Sequence, residues 1–250
     1  MGLVVAVTGA GSGLGRALAV RLAADGTRLI LVGRRAGRLR ETRDACVAGG
    51  GKAGDIVELP LDLTGPDAAA AVAEAATTAF DGLDALVNNA AQARFGALDR
   101  TGMATFAGLL QVNLVAPAAL SQAVAPLLRR SRGTIVNVGS IGGLLAVPGR
   151  SYYGAAKAGL HHLTRSLARE LAPDIRVNAV LPGAVDTEMY DDLGIDDDDV
   201  ARLRTEMVRT TPLGRMGRPE DVVPWIVMLL GPAAAWMTGS LLVVDGGRSC

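Results

Sequence analysis

Seven short apolar runs recur along the chain, and longer segments with a helical pattern separate them. The runs are rich in Val, Leu and Ile and scarcely alternate with polar residues, which is typical of strands buried on both faces of a parallel sheet. Strands that alternate with helices predict right-handed crossovers and a doubly wound α/β sheet. The predicted strands are Leu3–Thr8, Arg28–Val32, Ile56–Leu61, Ala85–Asn88, Thr134–Val138, Arg176–Leu181 and Leu241–Val244.

Length and charge limit the classes of protein that fit this sequence. The 250 residues predict a single domain over residues 1–250, since no linker or repeat interrupts the pattern. Lys+Arg and Asp+Glu balance at 25 each, so no basic surface is expected to attract nucleic acid. Cys46 and Cys250 are too few for a disulfide framework, and no segment predicts a signal peptide or a membrane span. We therefore expect a cytoplasmic protein.

A glycine-rich turn follows the first predicted strand. Thr8-Gly9-Ala10-Gly11-Ser12-Gly13-Leu14-Gly15 separates that strand from a predicted helix over Arg16–Ala24. Helix N-termini present free N–H groups to phosphates, and glycines let the backbone approach a pyrophosphate closely. The glycine spacing differs from Gly-x-Gly-x-x-Gly, and an ordinary glycine-rich turn is the alternative.

A tyrosine and a lysine lie one helical turn apart later in the chain. Tyr153 and Lys157 should share one helix face, where the ammonium would lower the pKa of the phenol and fit it for proton transfer. Ser140, after an apolar strand, could hydrogen-bond the oxygen of a reacting carbonyl. The alternative is an exposed tyrosine beside a solvated lysine. Lysine is scarce, with Lys52 the only other, and this favours the functional interpretation.

These motifs occur together with several others in a fixed order. The set comprises the glycine turn, Asp62-Leu63, Asn88-Asn89-Ala90, Asn113, Ser140, Tyr153, Lys157, Pro182-Gly183 with Thr187, and Asp245-Gly246-Gly247. Over nearly its whole length the chain resembles the short-chain dehydrogenase/reductase family, the single-domain branch of about 250 residues with a Rossmann-type sheet. One departure is Ala91, where the family usually has glycine after Asn-Asn-Ala.

The resemblance implies the roles of individual residues. The catalytic set would be Asn113, Ser140, Tyr153 and Lys157, with Asn113 supporting a proton relay; local packing or a helix kink is its alternative role. No metal is implied. The cofactor-binding residues would be Gly9, Gly11, Ser12, Gly13, Leu14, Gly15, Arg34, Arg35, Asp62, Leu63, Asn89, Ala90, Tyr153, Lys157, Pro182, Gly183, Val185 and Thr187.

The end of the second strand bears on which nicotinamide cofactor binds. An NAD enzyme usually has Asp or Glu there, whereas Gly33 is followed here by Arg34 and Arg35, which could grip a 2′-phosphate. NADP(H) is therefore favoured over NAD(H). These arginines could instead be the polar start of a surface helix, and Ser12 weakens the NADP argument because many NADP-binding relatives have a basic residue in the glycine turn.

The expected activity is NADP(H)-dependent hydride transfer between the nicotinamide and a ketone or secondary alcohol, with Tyr153 as general acid/base. Reduction of a 3-oxoacyl thioester is an alternative within this class. A catalytically silent cofactor-sensing or scaffold protein is the alternative outside it. The expected partner is a small carbonyl or alcohol substrate, and we expect a homo-oligomer, either a tetramer or a dimer.

The segment from Gly183 to Arg215 is expected to cover the substrate as a mobile loop. Asp196 to Asp199 could bind a cation, but a helix N-terminus is the favoured interpretation. His161 and His162 are interpreted as packing or interface residues. Candidate walls of the substrate pocket are Gln92, Arg94, Leu144, Leu145, Val147, Tyr152, Met189 and Tyr190.

Overall fold

The computed structural model describes residues 2–250, and a parallel sheet of seven strands lies at its centre. The strand order is β3-β2-β1-β4-β5-β6-β7, and every pairing is parallel. All seven predicted strands are present within one residue at either end, which confirms the predicted fold. The strands are β1 Val4–Thr8, β2 Arg28–Gly33, β3 Ile56–Pro60, β4 Ala85–Asn88, β5 Thr134–Val138, β6 Arg176–Pro182 and β7 Leu241–Val244.

Eight α-helices over residues 2–250 cover the two faces of the sheet. They are α1 Gly13–Ala24, α2 Ala36–Ala48, α3 Ala68–Phe80, α4 Met103–Leu110, α5 Ala116–Ser131, α6 Ser151–Leu171, α7 Asp197–Arg209 and α8 Pro219–Leu230. Successive residues of a strand point to opposite faces, so β1 contributes to two separate cores. Val5 and Val7 pack in the core that includes α1 and α8, and Val4 and Ala6 pack in the core that includes α3 and α5.

A π-helical segment over Gln111–Val115 joins α4 to α5. The resulting helical stretch, Met103–Ser131, is apolar and long enough to cross a membrane by length and composition alone. The expectation that no segment reaches this length was wrong. Such a stretch is weak evidence for a membrane span, since core helices pass the same test. Here Leu120, Val124 and Leu128 are buried against the sheet and α3.

The sheet topology determines where a site can form. β1 and β4 are neighbours in the middle of the sheet, although two strands separate them in the chain. The connections therefore leave in opposite directions at this point, and a crevice opens outside the carboxyl ends of the two strands. The glycine turn follows β1, and Asn89 follows β4, so both predicted motifs meet at this crevice.

Candidate active site

A cavity of about 810 Å³ opens at the carboxyl edge of the sheet. It runs from the glycine turn to the first turns of α6, and the segment after β6 covers part of it. All predicted site residues line it except Gly15 and Asn113. The lining residues from the predicted sets are Gly9, Gly11, Ser12, Gly13, Leu14, Arg34, Arg35, Asp62, Leu63, Asn89, Ala90, Ser140, Tyr153, Lys157, Pro182, Gly183, Val185 and Thr187.

The backbone conformation of this turn requires glycine at several positions. Gly9 and Gly13 have φ of 65° and 48°, in the left-handed region that only glycine adopts readily. A Cβ at Gly15 would lie 2.2 Å from the Gly9 carbonyl oxygen, so α1 could not pack this closely on the turn with any larger residue. Gly15 therefore packs α1 against the turn and does not itself line the cavity, and its predicted role in cofactor binding stays a prediction.

Hydrogen bonds join the ends of β1 and β4 into one frame. The Thr8 hydroxyl oxygen accepts from the backbone N–H groups of Asn89 and Ala90, both at 2.9 Å. The Asn89 side chain donates to the Thr8 carbonyl oxygen at 2.8 Å. Because the Asn89 amide is used in this way, it holds the glycine turn against β4. Ala91, in place of the family's usual glycine, lies in the cavity wall and removes no polar group.

The turn and the start of α1 are suited to bind a pyrophosphate. Ser12 is the N-cap residue of α1, but its side chain makes no capping hydrogen bond. The N-terminal turn of this 12-residue helix therefore keeps backbone donors for an anion. The Thr187 side chain approaches from the opposite side, since a Cβ at Gly13 would lie 3.1 Å from it. These residues fit the phosphates of a dinucleotide and would hold them here.

Two arginines line the far end of the cavity, where the adenosine of a dinucleotide would lie. Arg34 and Arg35 are exposed, and their side chains make no salt bridge or hydrogen bond within residues 2–250. Arg38, by contrast, pairs with Glu41 at 3.0 Å. Asp62 accepts hydrogen bonds from the backbone and hydroxyl of Thr64, which lower its pKa and keep it ionised.

Ser140 and Tyr153 meet at the opposite end of the cavity. The Ser140 hydroxyl oxygen accepts from the Gly142 backbone N–H at 3.0 Å, so its own O–H remains a donor. Gly142 lies between the two side chains, because a Cβ there would lie 3.3 Å from both the Ser140 oxygen and the Tyr153 ring. Tyr153 is buried, and Phe95 packs edge-on against it with ring centroids 5.9 Å apart.

The electrostatics of Tyr153 differ from the prediction. Burial raises the pKa of Tyr153, and contact with the Ser140 hydroxyl and the positive charge of Arg150 oppose this only in part. Lys157 does not act on the phenol as expected. Its Nζ lies 5.9 Å from the Tyr153 ring centroid and donates to the Val138 carbonyl oxygen at 2.9 Å. The predicted lowering of the tyrosine pKa by Lys157 was therefore wrong for this structure.

Asn113 lies in the π-helical segment and is completely buried. Its side chain donates to the carbonyl oxygens of Leu109 and Gln92, at 2.9 and 2.8 Å. These bonds tie the helix to the chain after β4, so Asn113 shapes the cavity without lining it. The relay role suggested by the family resemblance stays a prediction.

The segment expected to be a loop is largely ordered. It contains a short 3-10 helix, Glu188–Asp192, and α7, whose N-cap Asp196 accepts from the Asp199 backbone N–H at 2.7 Å. Asp196 to Asp199 thus lie at the N-terminus of α7, which confirms the interpretation favoured from the sequence. Tyr190, Leu193 and Met207 are buried in one cluster with Tyr153.

The predicted pocket walls are correct with two exceptions. Gln92, Arg94, Leu145, Val147, Met189 and Tyr190 line the cavity. Leu144 is exposed outside it, and Tyr152 instead stacks on Phe106 with ring centroids 4.5 Å apart.

Several contributors to the site were not identified from the sequence. A buried chain of hydrogen bonds runs from Asn88 through Asn137 to Thr164 and locks α6 onto β4 and β5, with both side-chain bonds at 2.9 Å. His161 is buried, as the packing interpretation predicts, but it also accepts a long hydrogen bond of 3.5 Å from the Ser140 backbone N–H. The cavity residues Phe95 and Arg150 were also missed, because isolated residues in loops carry no periodic signal.

Comparisons with known proteins agree with this geometry. A family model described as enoyl-(acyl carrier protein) reductase matches residues 9–249. The 3-oxoacyl-[acyl-carrier-protein] reductase of Vibrio cholerae is 35% identical over 98% of this chain and 97% of its own length. The galactitol 2-dehydrogenase (L-tagatose-forming) of Cereibacter sphaeroides is 39% identical over 98% of this chain and 94% of its own.

A solved structure supports the same assignment. A short-chain dehydrogenase/reductase of unknown function from Caenorhabditis elegans, crystallised with cofactor, has a TM-score of 0.92. It is 33% identical, and the alignment covers 99% of this chain and 95% of that one. The fold, the cavity and these similarities, which extend over almost the entire chain, lead to one conclusion: the chain belongs to the short-chain dehydrogenase/reductase family of oxidoreductases, which use nicotinamide cofactors.

Proposed function

We propose that this protein is an NADP(H)-dependent oxidoreductase that interconverts a ketone and a secondary alcohol, with Tyr153 as general acid/base. The observation that carries the proposal is the meeting of Ser140 and Tyr153 across Gly142, in the same cavity as the glycine turn. A nicotinamide bound there supplies or accepts the hydride. The side chains of this protein must then position the carbonyl and move its proton.

The hydrogen-bond pattern assigns a task to each side chain. The Ser140 hydroxyl, already accepting from Gly142, donates to the substrate oxygen. Tyr153 gives that oxygen its proton, and because burial raises the pKa of Tyr153, the phenol is in its protonated, donating form at neutral pH. Lys157 uses one donor on Val138 and keeps two for ligand hydroxyls in the cavity.

The chain provides a matched control for Tyr153. Tyr153→Phe should lower turnover with NADPH and a ketone by about 100-fold or more, because the proton donor is lost while the ring remains. Tyr152→Phe removes a hydroxyl that faces the Met103 sulfur at 3.7 Å, outside the cavity, and should change turnover little. Near-native turnover in Tyr153→Phe would show that the acid is another group. No turnover of any carbonyl by the native protein would favour the silent sensor or scaffold.

The preference for NADP rests on the unpaired Arg34 and Arg35. Arg34→Ala should lower kcat/KM for NADPH by about 10- to 100-fold relative to NADH, the effect of losing a charge-assisted hydrogen bond. Arg40→Ala, at an exposed arginine of α2 that does not line the cavity, is the control. Equal use of the two cofactors by the native protein would contradict the preference.

A second candidate is reduction of 3-oxoacyl thioesters, favoured by the similarity to the Vibrio cholerae reductase. It uses the same residues and differs only in what enters the cavity. Comparison of 3-oxobutanoyl-CoA with simple ketones and an enoyl thioester would distinguish these substrates.

We also propose that the protein is a homo-oligomer. Trp225 of α8 is 44% exposed, Val243 of β7 is 39% exposed, and Trp236 between them is fully exposed. Such apolar groups on neighbouring elements suit an interface between copies. Light scattering at micromolar concentration should give the mass of a dimer or tetramer.

A further inference from the structure

Two unpaired arginines line the cavity at its catalytic end. Arg150 immediately precedes α6 and lies three residues before Tyr153, and Arg248 comes from the C-terminal segment after β7. Within residues 2–250 neither guanidinium makes a salt bridge or a hydrogen bond. By contrast, arginines that lie in or contact the segment after β6 are paired, for example Arg94 with Asp192 and Arg204 with Asp186, both at 2.6 Å.

Arg150 is fixed close to the reacting groups by aromatic packing. Its guanidinium carbon lies 4.7 Å from the centroid of the Phe95 ring, and Phe95 packs edge-on against Tyr153. An arginine stacked in this way keeps its N–H edge available for a planar anion. Phe95 therefore contacts both the Arg150 guanidinium and the ring of Tyr153, the proposed proton donor.

The two positive charges repel one another. The pKa of Arg150 is lowered by partial burial and then by the nearby charge of Arg248. Of the acids near Arg248, Glu206 already gives both carboxylate oxygens to Arg209, at 2.8 and 2.7 Å. In the cavity wall, Asp192 is held by Arg94, and Glu188 lies near Gly13 at the pyrophosphate turn. Asp191 also lines the wall, and within residues 2–250 no carboxylate forms a hydrogen bond or salt bridge with Arg150 or Arg248. An anionic ligand would therefore relieve the repulsion between the two guanidinium groups.

We propose that Arg150 and Arg248 bind an anionic group of the substrate, so that the natural ketone is an oxo acid with its carboxylate held beside Phe95. This inference rests on the proposed function, because it assigns the substrate class of the same cavity. The same cationic pair would also suit the phosphate of a phosphopantetheine thioester. The shared chemistry is an oxyanion, and the experiment separates its two sources.

The test compares matched acidic and neutral ketones. The probes are 3-oxobutanoate and 4-oxopentanoate, each against its methyl ester, with NADPH as reductant. The native protein should prefer the acids by about tenfold or more in kcat/KM, and Arg150→Met should lower kcat/KM for the acids by about 10- to 100-fold. The esters should change by less than about threefold. Arg248→Met should act in the same direction, and Arg100→Met, at an exposed arginine outside the cavity, should leave the preference intact.

A second arm identifies the source of the anion. 3-Oxobutanoyl-CoA is compared with the N-acetylcysteamine thioester of the same acid, which lacks the phosphates. If Arg150→Met affects only the CoA compound and never the oxo acids, the site binds a thioester phosphate and the oxo-acid assignment is overturned. If the oxo acids alone respond to the substitution, the assignment stands.

A binding measurement separates this inference from the proposed function. Calorimetry with NADP-loaded Tyr153→Phe should detect 4-oxopentanoate and show its loss in the double variant with Arg150→Met. Turnover of the esters with no acid preference would leave the proposed function intact and overturn the anion site. Binding of 4-oxopentanoate that depends on Arg150, together with no turnover of any ketone by the native protein, would sustain the anion site and reject the proposed function.

Discussion

Lys157→Met should make the ligand-free protein more stable while it destroys activity. Lys157 is 2% exposed, its ammonium has one hydrogen-bond acceptor, the Val138 carbonyl, and no carboxylate pairs with it within residues 2–250. Methionine has a similar length and no charge, so it can occupy the same space. The substitution therefore isolates the energetic effect of a buried, unpaired charge.

The magnitude follows from the pKa. Burial lowers the pKa of Lys157 from 10.5 to about 8. Each pKa unit is worth about 1.36 kcal/mol, so the charged form destabilises the fold by about 3 kcal/mol below pH 8. Loss of the bond to Val138 offsets about 1 kcal/mol. We expect a net gain of about 2 kcal/mol at pH 7, or about 4–8 °C in Tm for a chain of this size.

The pH dependence gives the sign of the effect. Between pH 8 and 10.5 the unfolded chain holds a proton on Lys157 that the folded chain has lost, so native stability rises with pH over this range. The advantage of Lys157→Met should therefore be complete below pH 8 and disappear toward pH 10.5.

Thermal melting without nucleotide, at pH 7 and at pH 10, measures both quantities. Nucleotide must be absent because bound ligand raises Tm by itself. Lys52→Met is the matched control, because Lys52 is the only other lysine and is exposed. A variant less stable than the native protein at pH 7, or an equal gain at both pH values, would refute the reasoning.

Two further predictions concern His161 and the segment over the cavity. Burial, with smaller effects of Lys157 and Arg165, lowers the pKa of His161 to about 4, so its neutral form stabilises the fold above pH 6.5 and this contribution is lost as pH falls toward 4. His161→Leu should therefore reduce the fall in the free energy of unfolding between pH 7 and pH 4.5, measured by urea titration. His162→Leu, at an exposed histidine, should leave that fall unchanged. An equal fall in both variants and the native protein would contradict the prediction. Backbone amides of residues 188–209 should exchange hydrogen faster than those of the central strands without ligand, and slow on addition of NADP and substrate. Protection equal to that of β1 in the free protein would argue against a moving cover.

The fold could be predicted because the apolar pattern of a buried strand occurs seven times along the chain. Each strand carries a continuous apolar run, and a shift of a residue at an end, as at Val4 or Pro60, changes nothing in the strand order. The glycine turn and the spacing from Tyr153 to Lys157 were equally readable, because local backbone geometry imposes them.

What could not be predicted depends on three-dimensional proximity. The distance between Lys157 Nζ and the Tyr153 phenol depends on where the strand-end carbonyl of Val138 lies, and no helical spacing contains that information. Gly15 and Asn113 occupy motif positions, yet both support the site from behind its wall. Arg150 and Arg248 are about 100 residues apart in the chain, so only the fold shows that their charges interact.

The bridge between Val185 and Gly217 bears on how this protein could diversify. Gly217 donates to the Ala184 carbonyl oxygen at 2.8 Å and accepts from the Asp186 N–H at 2.9 Å, so residues 186–216 leave the scaffold and return to it at nearly one point. An insert with adjacent ends can be exchanged for one of another length at small entropic penalty, about 0.6 kcal/mol for each doubling. The seven strands need not adjust to such an exchange, whereas the contact of Thr187 with Gly13 and the packing of Tyr190 and Met207 with Tyr153 would have to be kept. Exchange of the residues between these contacts could therefore change the substrate preference of the protein, by evolution or by engineering, without any change in the sheet.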